Sequence, residues 1–275
     1  MMNYIFSVGN YSKQIATCID LFCFSVNKYG EESDRVWLGV PQQCLRNYES
    51  LSNILTLYLH NIPISYMDRC PPVFTIGSCY APIPDCEPIC IVDYDVVAVK
   101  KIEHPDTPKG VIRGLTREFD CFDASIPPSN PFEALAEEEG WAMLNEYFDL
   151  PSTPPYFNTG MLWSSGSVLR QLKKKWLDYT EMILSMQPPN IIRNWVAEQV
   201  GLSITMAKED IDGMPIGHRY HQMNHFTLGS LYNHSPMFIH YCWGDMKSDH
   251  HKFSSEPSPL NMAGQIVLEW QRSKA

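Results

Sequence analysis

Apolar positions recur along the chain in two rhythms. Residues 3–8 (NYIFSV) form a short apolar run closed by Gly9-Asn10 as a turn. From Ser12 to Lys28 the apolar residues Ile15, Ile19, Phe22 and Val26 return every three or four positions, which predicts a helix with one buried face. Arg35 to Val40 (RVWLGV) reads as a second strand, stopped by Pro41. A second helix is expected over about 44–60 and a third strand over 62–67 (IPISYM). Strand, helix, strand, helix, strand predicts a mainly parallel central sheet flanked by helices, an α/β fold.

The stretch 70–88, dense in proline and cysteine, predicts irregular structure, and the PICIVDYDVVAVKKI that follows is the most strand-like segment of the chain. Beyond it the character changes. An acidic helix is expected over 132–148 between two proline-rich pieces, then a strand in PYFNTGMLW and a long amphipathic helix in SVLRQLKKKWLDYTEMIL. A further helix over about 193–208 and strands at 214–221 and 236–242 complete the pattern. No repeat or low-complexity tract interrupts it, so residues 1–275 read as one α/β domain with a distinct second half.

Composition narrows the chemistry. Of 275 residues 44% are hydrophobic and 19% charged, the profile of a globular chain able to bury a core without metal or disulfide. Thirty-one acidic against twenty-one basic residues give a net charge of −10, which argues against a nucleic-acid surface, since phosphate binding needs clustered cations. Nine cysteines, an odd number scattered along the chain, read as reduced thiols. The opening MMNYIFSVGNYS has no basic n-region or apolar h-region, and no run of eighteen apolar residues occurs, so a cytoplasmic protein is expected. Cys70, Cys79, Cys86 and Cys90 are spaced nine, seven and four apart, without the paired knuckles that structural zinc favours.

Asp93-Tyr94-Asp95 stands out because it interrupts an apolar strand run, where two carboxylates are costly to bury uncompensated. Strand alternation places Asp93 and Asp95 on one face, a hard oxygen site for Mg²⁺ or Mn²⁺ with positions left for phosphate oxygens. An acidic strand end is the plainer reading of the same residues.

With this pair in place the chain resembles the GT-A fold nucleotide-sugar glycosyltransferases, most of all the retaining family of bacterial lipopolysaccharide galactosyltransferases and glycogenin. Four pieces carry the resemblance in order across about 240 of the 275 residues: IFSVGNY, IVDYDVV, YFNTGMLW and FIHYCWGDMK. It implies a nucleotide-binding half over 1–100 and a donor-sugar and acceptor half over 101–275. It also implies a UDP-sugar donor, a divalent cation (Mn²⁺ or Mg²⁺), and a glycan, lipid-linked glycan or protein acceptor.

By the same resemblance Asp93, Asp95 and His240 bind the cation, with Asp93 also near the ribose, and Lys247 neutralises the diphosphate. Asn158 and Gly160 face the sugar; Tyr11 stacks on the base, and the backbone of Ser7, Val8 and Gly9 reads its edge. Glu198 and Gln199 take the place of the first two residues of the family's D-Q-D helix start, beside the anomeric carbon. Val200 stands where the family has its second aspartate. Two further departures are one extra residue between His240 and Gly244, and the 70–88 stretch, where the family has a helix carrying an arginine.

Other readings stay open. His218, His221 and His225 form a zinc patch if helical but separate onto opposite faces if extended. Lys173 to Lys175 read as a solvated helix face, or as a patch meeting an anionic acceptor or the inner face of a membrane. A sugar-nucleotide nucleotidyltransferase uses a similar sheet but needs a glycine-rich basic first loop, which SVGNYSKQ lacks, and a non-catalytic nucleotide-sugar-binding protein would dispense with the aspartate pair.

Overall fold

The structure is a computed structural model that describes residues 1–66, 70–116, 141–185, 197–217, 219–220, 222–223, 236–240 and 259–274. Ten strands are described: β1 Asn3–Ser7, β2 Arg35–Val40, β3 Thr56–Leu59, β4 Pro88–Val92, β5 Val96–Ala98, β6 Val111–Thr116, β7 Phe157–Ser165, β8 Asp212–Pro215, β9 Gln222–Met223 and β10 Phe238–His240. The long helices are α1 Lys13–Tyr29, α2 Gly166–Ser185, α3 Ala197–Lys208 and α4 Pro259–Ser273.

The main sheet has the order β3-β2-β1-β4-β7-β6-β8, and a small sheet has the order β5-β10-β9. Strands β1 to β4 run parallel, and β7 enters antiparallel to both β4 and β6. Alternation along β1 sorts its side chains between two cores. Tyr4 and Phe6 pack with Ile19 and Phe22 of α1, whereas Ile5 faces the opposite layer with Leu169, Leu172 and Trp176 of α2. The hydroxyl of Ser12 caps α1 by accepting from the Ile15 amide at 3.0 Å, and the periodic Ile15, Ile19, Phe22 and Val26 supply its inner face.

The third strand lies at Thr56–Leu59 rather than 62–67, and the expected helix over 44–60 is a single turn, Leu45–Tyr48, between two 3-10 turns. Pro63 removes a ladder donor from the 62–67 run, while residues 56–59 pair with Trp37 to Val40. Gly39 makes that pairing tight, because a Cβ there would lie 2.5 Å from the Tyr58 ring.

The stretch expected to be irregular contains a continuous 3-10 helix, Pro71–Tyr80, laid against β1 and α2. With three residues per turn, Val73, Ile76 and Cys79 fall in one row and are all buried. The long helix α2 forms where amphipathic spacing predicts it, and α3 falls within the helix expected over about 193–208, of which 193–196 lie outside the described residues. Of the acidic helix expected over 132–148, residues 141–147 are helical and 132–140 lie outside the described residues.

Chain order and strand order together locate the cleft. From β1 the chain moves outward to β2 and β3, then crosses back to place β4 on the other side of β1. Such a switch point opens a crevice beyond the carboxyl ends of the two strands. Those ends lead into Val8 to Tyr11 and into Asp93 to Asp95.

Candidate metal centre

Asp93 and Asp95 occupy the turn between β4 and β5, the point where the chain leaves the large sheet for the small one. The Asp93 amide donates to the Gly160 carbonyl at 2.9 Å, which pins the turn to β7. Antiparallel pairing of β5 with β10 sets His240 opposite Val96. The imidazole Nε2 then lies 3.0 Å from Asp95 Oδ1 and 3.8 Å from Asp93 Oδ2. One ligand atom from each of the three residues falls within 4.8 Å of the others, the one such group of three among the described residues.

The donor set fits a divalent cation of the Mg²⁺ or Mn²⁺ kind: two carboxylate oxygens and one imidazole nitrogen converge, a set of three that would leave further coordination positions to other ligands. The electrostatics agree. Burial, and then the neighbouring Asp95 charge, push the Asp93 carboxyl above its ordinary range, against the opposing pull of His240. One third (33%) of the Asp93 side chain stays open to solvent, so protein largely encloses the carboxylate but leaves it an approach. A cation relieves the excess negative charge that burial makes costly.

Gly160 seats the histidine. A Cβ at this position would lie 2.2 Å from His240 Cε1 and 2.4 Å from Nδ1. The pairing of β6 with β7 slips between Gly114 and Thr116, so the segment holding Asn158 to Gly160 bulges out of the ladder. Asn158 Oδ1 accepts from the Gly160 amide at 2.9 Å and stabilises that bulge.

The loop after β1 is held from several sides. The Val8 amide donates to the Gly39 carbonyl at 3.0 Å, and the Tyr48 hydroxyl donates to the Asn10 carbonyl at 2.9 Å. His60 Nδ1 accepts from the Ile62 amide at 3.2 Å, so Nε2 carries the proton that meets the Val8 carbonyl at 2.9 Å. Gly9 lies against the Phe74 ring, where a Cβ would fall 2.1 Å from the ring. Tyr11 is 42% exposed and meets Tyr48 edge-on with ring centroids 5.2 Å apart. The Ser7 hydroxyl, by contrast, is buried without a hydrogen-bond partner.

Glu198 and Gln199 begin α3. Glu198 is fully buried: Oε1 accepts from the Thr159 hydroxyl at 2.7 Å, Oε2 has no hydrogen-bond partner, and its carbonyl accepts from Trp176 Nε1 at 2.6 Å. Burial, opposed by the Thr159 hydrogen bond and reinforced by the Asp93 charge, pushes its carboxyl up to about 8. Gln199 is 8% exposed.

A pH signature follows. The folded chain keeps a proton on Glu198 that the unfolded chain sheds above the ordinary carboxyl value of 4.5, so this group's contribution to stability falls between about 4.5 and about 8 and is level beyond. Glu198→Gln, uncharged at every pH, flattens that slope and stabilises the chain at pH 8 by an order of a few kcal/mol. Denaturant titrations at pH 5 and pH 8 check this; equal pH slopes in the two proteins would show that Glu198 does not carry the effect.

Lys247 and the histidines at 218, 221 and 225 lie outside the described residues. Cys90 packs into the core on the α1 side of the sheet, whereas Cys70 and Cys79 pack on the α2 side, so these thiols do not converge. Lys173 stacks 4.2 Å from the Tyr80 ring centroid, and Lys175 lies 4.0 Å from Glu209. Periodicity missed His60, Phe74 and Thr75, which surround the loop after β1 and the metal group; nothing in their local sequence marks them.

The fold is that of the GT-A glycosyltransferases, with a mostly parallel central sheet and the helices on its faces. An active-site mutant of LgtC matches with a TM-score of 0.59 at 14% identity, covering 99% of this chain and 96% of that one. The galactosyltransferase LgtC in complex with donor and acceptor sugar analogs gives 0.56, also at 14% identity and with the same coverage of both chains. Mouse xyloside xylosyltransferase 1 in its apo form gives 0.51 at 10% identity over 88% of this chain and 97% of that one. No family model and no curated protein matches the sequence. No described helix is long and apolar enough to cross a membrane.

Proposed function

We propose that the chain is a divalent-cation-dependent hexosyltransferase that moves a sugar from a UDP-sugar to a hydroxyl of a glycan, lipid-linked glycan or protein, with retention at the anomeric carbon. The observation that carries this reading is the convergence of Asp93, Asp95 and His240 at the carboxyl end of β4, beside the loop after β1. Asp93, Asp95 and His240 hold Mn²⁺ or Mg²⁺, which supplies positive charge where the departing diphosphate gains negative charge. Lys247 adds a second positive charge for the same oxygens. Tyr11 stacks on the base while the backbone of Ser7 to Gly9 reads its edge, and Asn158 and Gly160 line the sugar side.

Breaking the sugar–phosphate bond leaves the anomeric carbon electron-poor, and in this reading the Gln199 amide oxygen stabilises it, a role that rests on the resemblance of the α3 start to the family's D-Q-D. Glu198, buried behind Thr159, acts by holding the first turn of α3 against β7. The acidic surface is compatible with an anionic donor because attraction is needed only at the metal and Lys247.

The test is thermal. UDP with Mn²⁺ raises the melting temperature by about 5–10 °C when ligand exceeds its Kd about a hundredfold, whereas UDP with a chelator leaves it within about 1 °C. The absence of any metal-dependent shift with UDP, GDP or CMP would sink the transferase reading. Hydrolysis of a panel of UDP-, GDP- and CMP-sugars then identifies the donor.

A further inference from the structure

The 3-10 helix Pro71–Tyr80 does more than cover the sheet. Its row of Val73, Ile76 and Cys79 is sunk in the core and fixes the rotation of the whole segment. That rotation places Phe74 against the backbone of Gly9 and brings the neighbouring Thr75 to the metal group. Thr75 is 6% exposed, and its hydroxyl donates to Asp93 Oδ1 at 3.4 Å. The other oxygen, Oδ2, is the one 3.8 Å from His240 Nε2. The two oxygens of Asp93 thus have different neighbours: Oδ1 the Thr75 hydroxyl, Oδ2 the His240 imidazole.

We propose that Thr75 is a positioning residue of the metal centre, holding Oδ1 of Asp93 so that Oδ2 is presented to the cation. The proposal rests on the metal-dependent reading above and assigns Thr75 no contact with the donor. A carboxylate free to rotate about its Cβ–Cγ bond would offer either oxygen and pay an ordering cost on each binding event; a buried hydroxyl beside one oxygen biases that choice. The same segment touches Gly9, so the metal position and the loop after β1 are set by one rigid element.

The experiment measures binding of Mn²⁺ alone, by the electron paramagnetic resonance signal of the free ion, in the parent chain, Thr75→Val and Thr75→Ser. Valine keeps the shape and removes the donor; serine keeps the donor. Thr75→Val is expected to bind Mn²⁺ about tenfold more weakly, Thr75→Ser within about twofold of the parent, and both metal-free proteins to melt within about 2 °C of it. A valine variant with parental Mn²⁺ affinity overturns the proposal while leaving the metal site intact. A valine variant that loses more than about 5 °C without metal overturns it in favour of a packing role. A parent chain that binds no Mn²⁺ overturns both this and the metal-dependent reading.

Discussion

Asp95→Asn abolishes the Mn²⁺-dependent stabilisation by UDP and lowers donor turnover by about 100- to 1000-fold, yet leaves the metal-free protein at least as stable as the parent. Both halves of this expectation come from the same geometry. Asp95 offers an anionic oxygen 3.0 Å from His240 Nε2, and an asparagine oxygen keeps the contact while losing the charge that would hold a cation. The Asp95 charge also raises the Asp93 carboxyl, so removing it relieves a repulsion in the metal-free chain. Melting curves with and without Mn²⁺ and UDP, beside a donor-hydrolysis assay, separate the two effects. A variant that kept its metal-dependent shift would remove Asp95 from the metal centre.

Gly160→Ala costs about 1–3 kcal/mol of stability and weakens Mn²⁺ binding together with it, because the new methyl group must displace His240 or the bulge in β7. The approach of 2.2 Å to Cε1 cannot be absorbed by a small shift: His240 is 4% exposed and held in β10 by its pairing with β5. Urea denaturation measures the first effect and Mn²⁺ titration the second. A stable variant with parental Mn²⁺ affinity would show that His240 has another rotamer available and that the glycine is not what seats it.

These two residues also show what a sequence of this kind discloses. Asp93 and Asp95 were legible because two carboxylates inside an apolar run demand a chemical reason, and their partner His240 was legible through the order of four short motifs. The role of Gly160 was legible only in part. The resemblance implies a place facing the sugar, but the packing of His240 against this glycine, brought from eighty positions further along the chain by pairing in the small sheet, could not be read. Thr75 could not be found at all. It sits between prolines and cysteines with no helical or strand rhythm, and its relevance arises from the three-residue turn of a 3-10 segment. Glu198 shows a third case: its place at a helix start was readable, its complete burial was not, since that depends on Thr159 and Trp176 from other elements. The misplaced third strand has the same origin, because the pairing of Tyr58 beside Gly39 decided a contest that local apolar content left to the run at 62–67.

The junction of the two sheets has a consequence for how activity appears in time. During synthesis the aspartates of the β4–β5 turn leave the ribosome early, with the parallel strands that carry them already able to pair. The histidine arrives only with β10, and the antiparallel partner that holds it in place is β5, the strand directly after the aspartates. A partly made chain can therefore display the acidic pair without bringing the histidine to it. Convergence of the three side chains waits until the polypeptide has turned back on itself, and it marks completion of the small sheet.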